Sequence, residues 1–218
     1  MEKPLYPCPN MRITQGYGEG THADSYAIDD AGKDTSISKI RAPFTGIIKK
    51  IYPEDANEVW LESIDKVEYP DGTKDYLTMM FAHANDVSNL FVGKKVVQNE
   101  EFYSEGTKGN ATGNHCHIEC GKGKFTGTGW HKNNQGYYSI NNPKKPEECL
   151  WIDKTINIIN DYNYKFKMIE EEKLPVEEPT TPKTPTAPTD TTKQPIFICQ
   201  KSDLYGIYLK AGQKLYLE

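Results

Sequence analysis

Apolar and polar positions alternate through much of the first two thirds of the chain. Residues 40–52, 59–64, 76–83, 95–103 and 115–119 are rich in β-branched and aromatic side chains, which predicts strands. Between two of them, Tyr69-Pro70-Asp71-Gly72-Thr73 is a turn signal, since proline presets φ and glycine accepts a positive one. Short helical turns are expected at 85–91 and 145–150, and no long stripe of 3.6-residue period occurs before Ile156. The pattern predicts a mainly β (α+β) fold, mostly antiparallel, over residues 1–172.

The pattern then stops. From 175 to 195 the chain reads PVEEPTTPKTPTAPTDTTKQP, with nothing to bury and prolines that favour an extended conformation. Residues 173–195 are therefore expected to be a linker. The remaining 23 residues, 196–218, alternate again around Ser202-Asp203 and Ala211-Gly212, which suits two or three short strands. So small a core is marginal alone, so this tail is read as a fragment of a binding module or a self-associating segment, with both readings open.

A length of 218 residues suits one ordinary domain plus such appendages. No stretch approaches the roughly 18 apolar residues of a membrane span, and the N-terminal residues lack the apolar core of an export signal, so no membrane insertion is expected. Lys plus Arg total 26 against 31 Asp plus Glu, for a net charge of −5, with no basic run. That balance argues against a nucleic-acid partner. The five cysteines are too few and too odd in number for a disulfide scaffold, so reduced thiols are expected.

The candidate chemistry lies in the histidines. His115 and His117 flank Cys116, and side chains two apart on a strand share a face, so both imidazoles point one way while Cys116, Ile118 and Cys120 point to a core. This makes the cysteines small buried apolar groups and leaves zinc ligation by their sulfur as the weaker reading. Two imidazoles on one face begin a zinc site, because Zn²⁺ takes neutral histidine nitrogen and carboxylate oxygen. His22 lies in a glycine-rich loop, Asp29 follows the apolar Ala27-Ile28, and His83 ends the apolar run 76–82. His131, in a Gly/Asn/Tyr-rich loop, is read as a rim residue.

Together these segments resemble the lysostaphin-like zinc metallopeptidases that cut peptidoglycan peptides, over about residues 11–153. Gln15-Gly16-Tyr17-Gly18 leads to His22 and Asp29. Ala42-Pro43-Phe44-Thr45-Gly46-Ile47-Ile48 is similar to that family's strand and turn, and Phe81-Ala82-His83 to its Tyr-Ala-His segment. Phe91-Val92-Gly93-Lys94-Lys95-Val96-Val97 is similar to its Val-x-x-Gly-x-x-Val. The most specific match is Thr112-Gly113-Asn114-His115-Cys116-His117-Ile118-Glu119.

The resemblance implies an antiparallel metallopeptidase domain of the lysostaphin type with zinc on His22, Asp29 and His117. It places His83 and His115 beside the reacting water and the developing oxyanion, with peptidoglycan stem or cross-bridge peptides as substrate. The separation of His22 from Asp29 is longer than the family's His-x-x-x-Asp, so Asp24 and Asp30 compete with Asp29 for the ligand role. An endolysin fits the missing export signal, held in the host cytoplasm until release and then acting on the wall. A virion-associated lysin and a non-catalytic wall-binding or scaffolding module of the same fold are the rivals.

Overall fold

A computed structural model describes residues 1–34 and 36–170, with strand residues 197–198 and 214–215. The chain divides into two compact units, Met1–Glu172 and Lys173–Glu218. In the first, β1 (Asn10–Gln15) passes through a 3-10 turn (Gly20–His22) to β2 (Ile28–Asp30), followed by β3 (Lys39–Arg41), β4 (Gly46–Tyr52) and β5 (Glu58–Ser63). Next come the short β6 (Val67–Glu68) and β7 (Lys74–Asp75), then β8 (Leu77–Ala82), β9 (Lys95–Val96) and β10 (Glu101–Ser104). The long β11 (Cys116–Lys122) precedes β12 (Trp130–Lys132), β13 (Tyr138–Ile140) and β14 (Pro143–Lys144). One helical turn, α1 (Pro146–Cys149), and β15 (Trp151–Ile152), β16 (Asn157–Asn160) and β17 (Lys167–Met168) complete the unit.

The fold is mainly β and mostly antiparallel. Its principal sheet runs β16-β1-β2-β11-β8-β5-β4-β9, with β14 also on β11. Only β16 joins it parallel, on β1. At the centre β8 is buried along its whole length, which is why its sequence is a continuous apolar run rather than an alternating one. Leu77, Met79 and Phe81 enter the main core with Ile28, Val59, Leu61 and Ile118. On the other face Met80 and Ala82 join Trp60, Ile140 and Ala56 in a smaller cluster, against which Phe125 and Trp130 pack. Each fully buried aliphatic side chain in the main core stabilises the fold by roughly 1.5–3 kcal/mol.

Cys116, Ile118 and Cys120 face the main core, and Cys8, Cys116, Cys120 and Cys149 are free and buried. The turn 69–73 joins β6 to β7, with Gly72 at φ +84° and Tyr69 N–H bonded to the Thr73 carbonyl at 2.9 Å. Three local expectations need correction. Residues 40–52 form two strands, because Pro43 has no N–H and the chain turns there: Ala42 N–H bonds to Glu100 O and Thr45 N–H to the Glu2 carboxylate. β3 then pairs with β10 while β4 pairs with β5 and β9, so 95–103 is divided in the same way. Residues 85–91 hold no helix, because the Asp86 carboxylate takes the Ser88 N–H and hydroxyl and makes a turn closed by Leu90 N–H to Val87 O. The helical turn at 146–149 lies where one was expected.

In the second unit, β18 (Phe197–Ile198) and β19 (Lys214–Leu215) pair antiparallel, with Phe197 opposite Leu215. Residues 173–195, where a linker is expected, and the rest of the expected binding or self-associating segment 196–218 lie outside the described residues. No helix among the described residues is long and apolar enough to cross a membrane.

Candidate metal centre

The sheet brings β2 and β11 together so that His117 lies directly opposite Asp29. Asp29 is the hub of the site. Its Oδ1 is 3.0 Å from His117 Nδ1 and 3.3 Å from His22 Nε2, and its Oδ2 is 3.7 Å from His115 Nε2. His22 is carried in by the 3-10 turn; its Nδ1 lies 3.2 Å from the Gly16 carbonyl, which leaves Nε2 facing Asp29. Among the described residues, His22, Asp29 and His117 form a three-donor group whose ligating atoms all lie within 4.8 Å of one another.

This donor set fits a zinc ion. Two imidazole nitrogens and one carboxylate oxygen are the ligands of a catalytic zinc site, and the 3.0 and 3.3 Å separations are close to the roughly 3.3 Å edge of a tetrahedron with 2.0–2.1 Å bonds. The far side of His117 supports the same reading. Its Nε2 is 3.2 Å from Glu119 Oε1, and Glu119, fully buried, is held by the Ser139 hydroxyl at 2.9 Å and the Ile140 N–H at 2.8 Å. A carboxylate behind a ligating histidine fixes its tautomer and orientation, leaving Nδ1 for the metal. Without metal, burial opposes a charge on His117, but Asp29 and Glu119 together outweigh it and hold its pKa up to about 10. Burial likewise opposes ionisation of Asp29, yet His117 and His22 keep its carboxyl far below the usual carboxylate range. Metal binding must therefore displace a proton.

His83 and His115 stand at the edge of this group, with ring centroids 4.5 Å apart. Each rests on a backbone carbonyl through Nδ1: His83 Nδ1 lies 2.7 Å from Lys108 O, and His115 Nδ1 lies 2.8 Å from Gly113 O, while only His115 also faces Asp29 through Nε2. In the neutral tautomer that donates from Nδ1 to such a carbonyl, Nε2 is the acceptor. Burial, with the neighbouring His117 and His115, pushes His83 down to about 4, so it is neutral at physiological pH. His83 also adopts φ +83°, uncommon for a residue with a Cβ, held by its N–H to Ala56 O at 2.7 Å and by Lys108 N–H to its own carbonyl.

Among the competing carboxylates, Asp24 Oδ2 accepts the Asn134 N–H and Asp30 turns into the core, where Tyr6 Oη, Arg12 N–H and Gly32 N–H bond to it. Neither meets the histidines. His131 is exposed on β12, within the hairpin that supplies Trp130, Tyr137 and Tyr138 to the wall of the cleft. That cleft, of about 480 Å³, contains all five histidine and aspartate positions singled out in the sequence: His22, Asp29, His83, His115 and His117.

Two residues of consequence were not singled out. Glu119 was legible as part of the His-x-His-x-Glu spacing, but its contact with His117 depends on the β13 segment. Gly106 forms a bridge with His115, N–H to O in both directions at 3.1 and 3.2 Å, and a Cβ on it would lie 2.3 Å from the His83 carbonyl. Only glycine lets the backbones of His83 and His115 approach in this way.

No protein-family model matches the chain, and neither does any curated protein at a significant level. Among solved structures the chain is similar to the catalytic domain of the prophage-encoded M23 protein EnpA from Enterococcus faecalis, with 22% identity over 56% of this chain and 91% of that one, at a TM-score of 0.41. It is also similar to the catalytic domain of the antimicrobial peptidase lysostaphin from Staphylococcus simulans, with 17% identity, 62% and 89% coverage and a TM-score of 0.43. LytU has 21% identity, 63% and 82% coverage and a TM-score of 0.44.

Proposed function

We propose that this chain is a zinc-dependent endopeptidase that hydrolyses peptide bonds in the stem or cross-bridge of bacterial peptidoglycan, of the lysostaphin-like class, serving as a phage endolysin. The observation that carries the reading is the division of the four clustered histidines. Two converge with Asp29 on one point, and two stand beside it with Nδ1 on a backbone carbonyl.

His22 through Nε2, Asp29 through a carboxylate oxygen and His117 through Nδ1 would hold the ion. Zinc supplies Lewis-acid polarisation of a carbonyl and brings a water's pKa from about 16 toward neutrality. The chain's own residues do the rest. The Nε2 of His83 or His115 accepts the proton of an attacking water and returns it to the leaving amine, acting as general base and then general acid. Donation of Nδ1–H to Lys108 O and Gly113 O keeps each ring turned for that task. Glu119 holds His117 in register, and the 130–140 hairpin forms one wall of the cleft. Residues 1–172 form the catalytic unit in this reading, 173–195 the linker, and 196–218 the wall-binding or self-associating segment.

Digestion of purified cell walls, with sequencing of the released peptides, tests activity and bond together. The expected result is new amino termini at one peptide position, abolished by a chelator and restored by zinc. Intact walls together with less than stoichiometric zinc would favour a non-catalytic module.

A further inference from the structure

We infer that Glu58 is a specificity residue of the cleft, placed to pair with a primary ammonium group on the substrate peptide about three residues from the bond cut; the inference rests on the endopeptidase reading above. The register sets the position. His117 pairs with Ala82, and Val59 pairs with Phe81, so Glu58, Ala82 and His117 form one row across β5, β8 and β11. All three line the cleft. With strands about 4.8 Å apart, the backbone of Glu58 lies roughly 10 Å from that of His117, and only the methyl of Ala82 stands between them. An extended peptide advances about 3.4 Å per residue, so this distance spans about three.

Three carboxylates occupy this face of β5 and β11, and they differ in their partners. Glu119 is saturated by His117, Ser139 and Ile140. Glu62 accepts the Phe125 N–H at 2.6 Å and lies 3.4 Å from Lys49 Nζ. Glu58 is half-buried, and its side chain makes no hydrogen bond or ion pair among the described residues. The lining holds a second acid, Asp55, outside the metal centre, and no Lys or Arg among the described residues. Asp29 is assigned to the metal and Glu119 to His117, so the negative field left over belongs to Glu58 and Asp55, and it attracts a cation. Burial, then Asp55, raises the Glu58 pKa to about 7 against the opposing pull of His117, so an ammonium partner would draw the carboxyl back to its charged form. A half-buried carboxylate beside a reacting centre selects a substrate group of opposite charge. The free amine of an uncross-linked stem or bridge peptide has that charge.

The test uses soluble peptides released from walls, half of the sample treated with acetic anhydride so that free amines become neutral amides. Binding by calorimetry and hydrolysis by mass spectrometry are measured on both halves with the full chain, Glu58→Gln and Glu58→Lys. The wild-type chain should favour the amine form in affinity by at least about fivefold, Glu58→Gln should bring that ratio close to one, and Glu58→Lys should reverse it. A ratio that Glu58→Gln leaves unaltered, in a variant with native circular dichroism and zinc content, overturns the role of Glu58. Preferential binding without hydrolysis would leave Glu58 in place and overturn the endopeptidase reading instead. Hydrolysis by the wild-type chain with no preference between the two forms would do the opposite.

Discussion

His22 and His117 differ from His83 and His115 in what stands behind each ring. The first pair share Asp29 Oδ1 at 3.3 and 3.0 Å, and His117 has a second carboxylate on its other nitrogen. The second pair lean on the carbonyls of Lys108 and Gly113 through Nδ1, and only His115 reaches Asp29, through Oδ2 at the longer distance of 3.7 Å. At His117 two carboxylates outweigh burial and make the imidazole more basic, whereas at His83 a carbonyl orients the ring and burial makes it less so. Four histidines within one cleft thus acquire two kinds of chemistry from their neighbours.

The comparison breaks first on activity. His117→Ala and Asp29→Ala should each lower wall lysis by at least about a thousandfold, to background, since the donor set becomes incomplete; turbidity clearing of intact cells measures this. His83→Ala and His115→Ala should cost at least about a hundredfold in turnover, the scale of a general acid or base. Unchanged turnover in either variant would remove that residue from the site. Glu119→Gln, isosteric but uncharged, should weaken zinc affinity by about 10- to 100-fold in a competition titration with a chelator dye.

The smaller effects concern pH and Asp24. In the metal-free chain His83 has a folded pKa of about 4 against an ordinary 6.5, because burial disfavours its charge. Its contribution to stability is present above pH 6.5 and is lost as the pH falls through 4. His117, raised to about 10 because two carboxylates overcome its burial, contributes fully below pH 6.5 and loses that contribution as the pH rises through 10. Thermal melts of metal-free protein should therefore show the acid slope flattened in His83→Gln and the alkaline slope flattened in His117→Gln. Asp24→Ala should change zinc content and lysis by less than about twofold, since Asp24 engages Asn134 rather than a histidine.

Much of this was readable in the chain. The two-residue alternation of a strand places His115 and His117 on one face and Cys116 on the other, and no tertiary information is needed for that. The choice of Asp29 over Asp24 and Asp30 is different, because it depends on the pairing of His117 with Asp29 across β11 and β2, a contact 88 residues apart in sequence. Ranking the partners of Glu119 and Glu58 depends equally on which distant segment arrives above β11 and β5. Gly106 is silent in the sequence, since its value lies in the absence of a Cβ beside the His83 carbonyl. The division of 40–52 at Pro43 was marked by the proline itself, but the apolar residues on either side outweigh it in a periodicity count.

Zinc stoichiometry by mass spectrometry of the purified full chain and of its five single-alanine variants at His22, Asp29, His83, His115 and His117 tests the central claim most directly. The account predicts one zinc per chain in the wild type, in His83→Ala and in His115→Ala, and little or none in His22→Ala, Asp29→Ala and His117→Ala. Full zinc in His117→Ala, or its loss in His83→Ala, would contradict it.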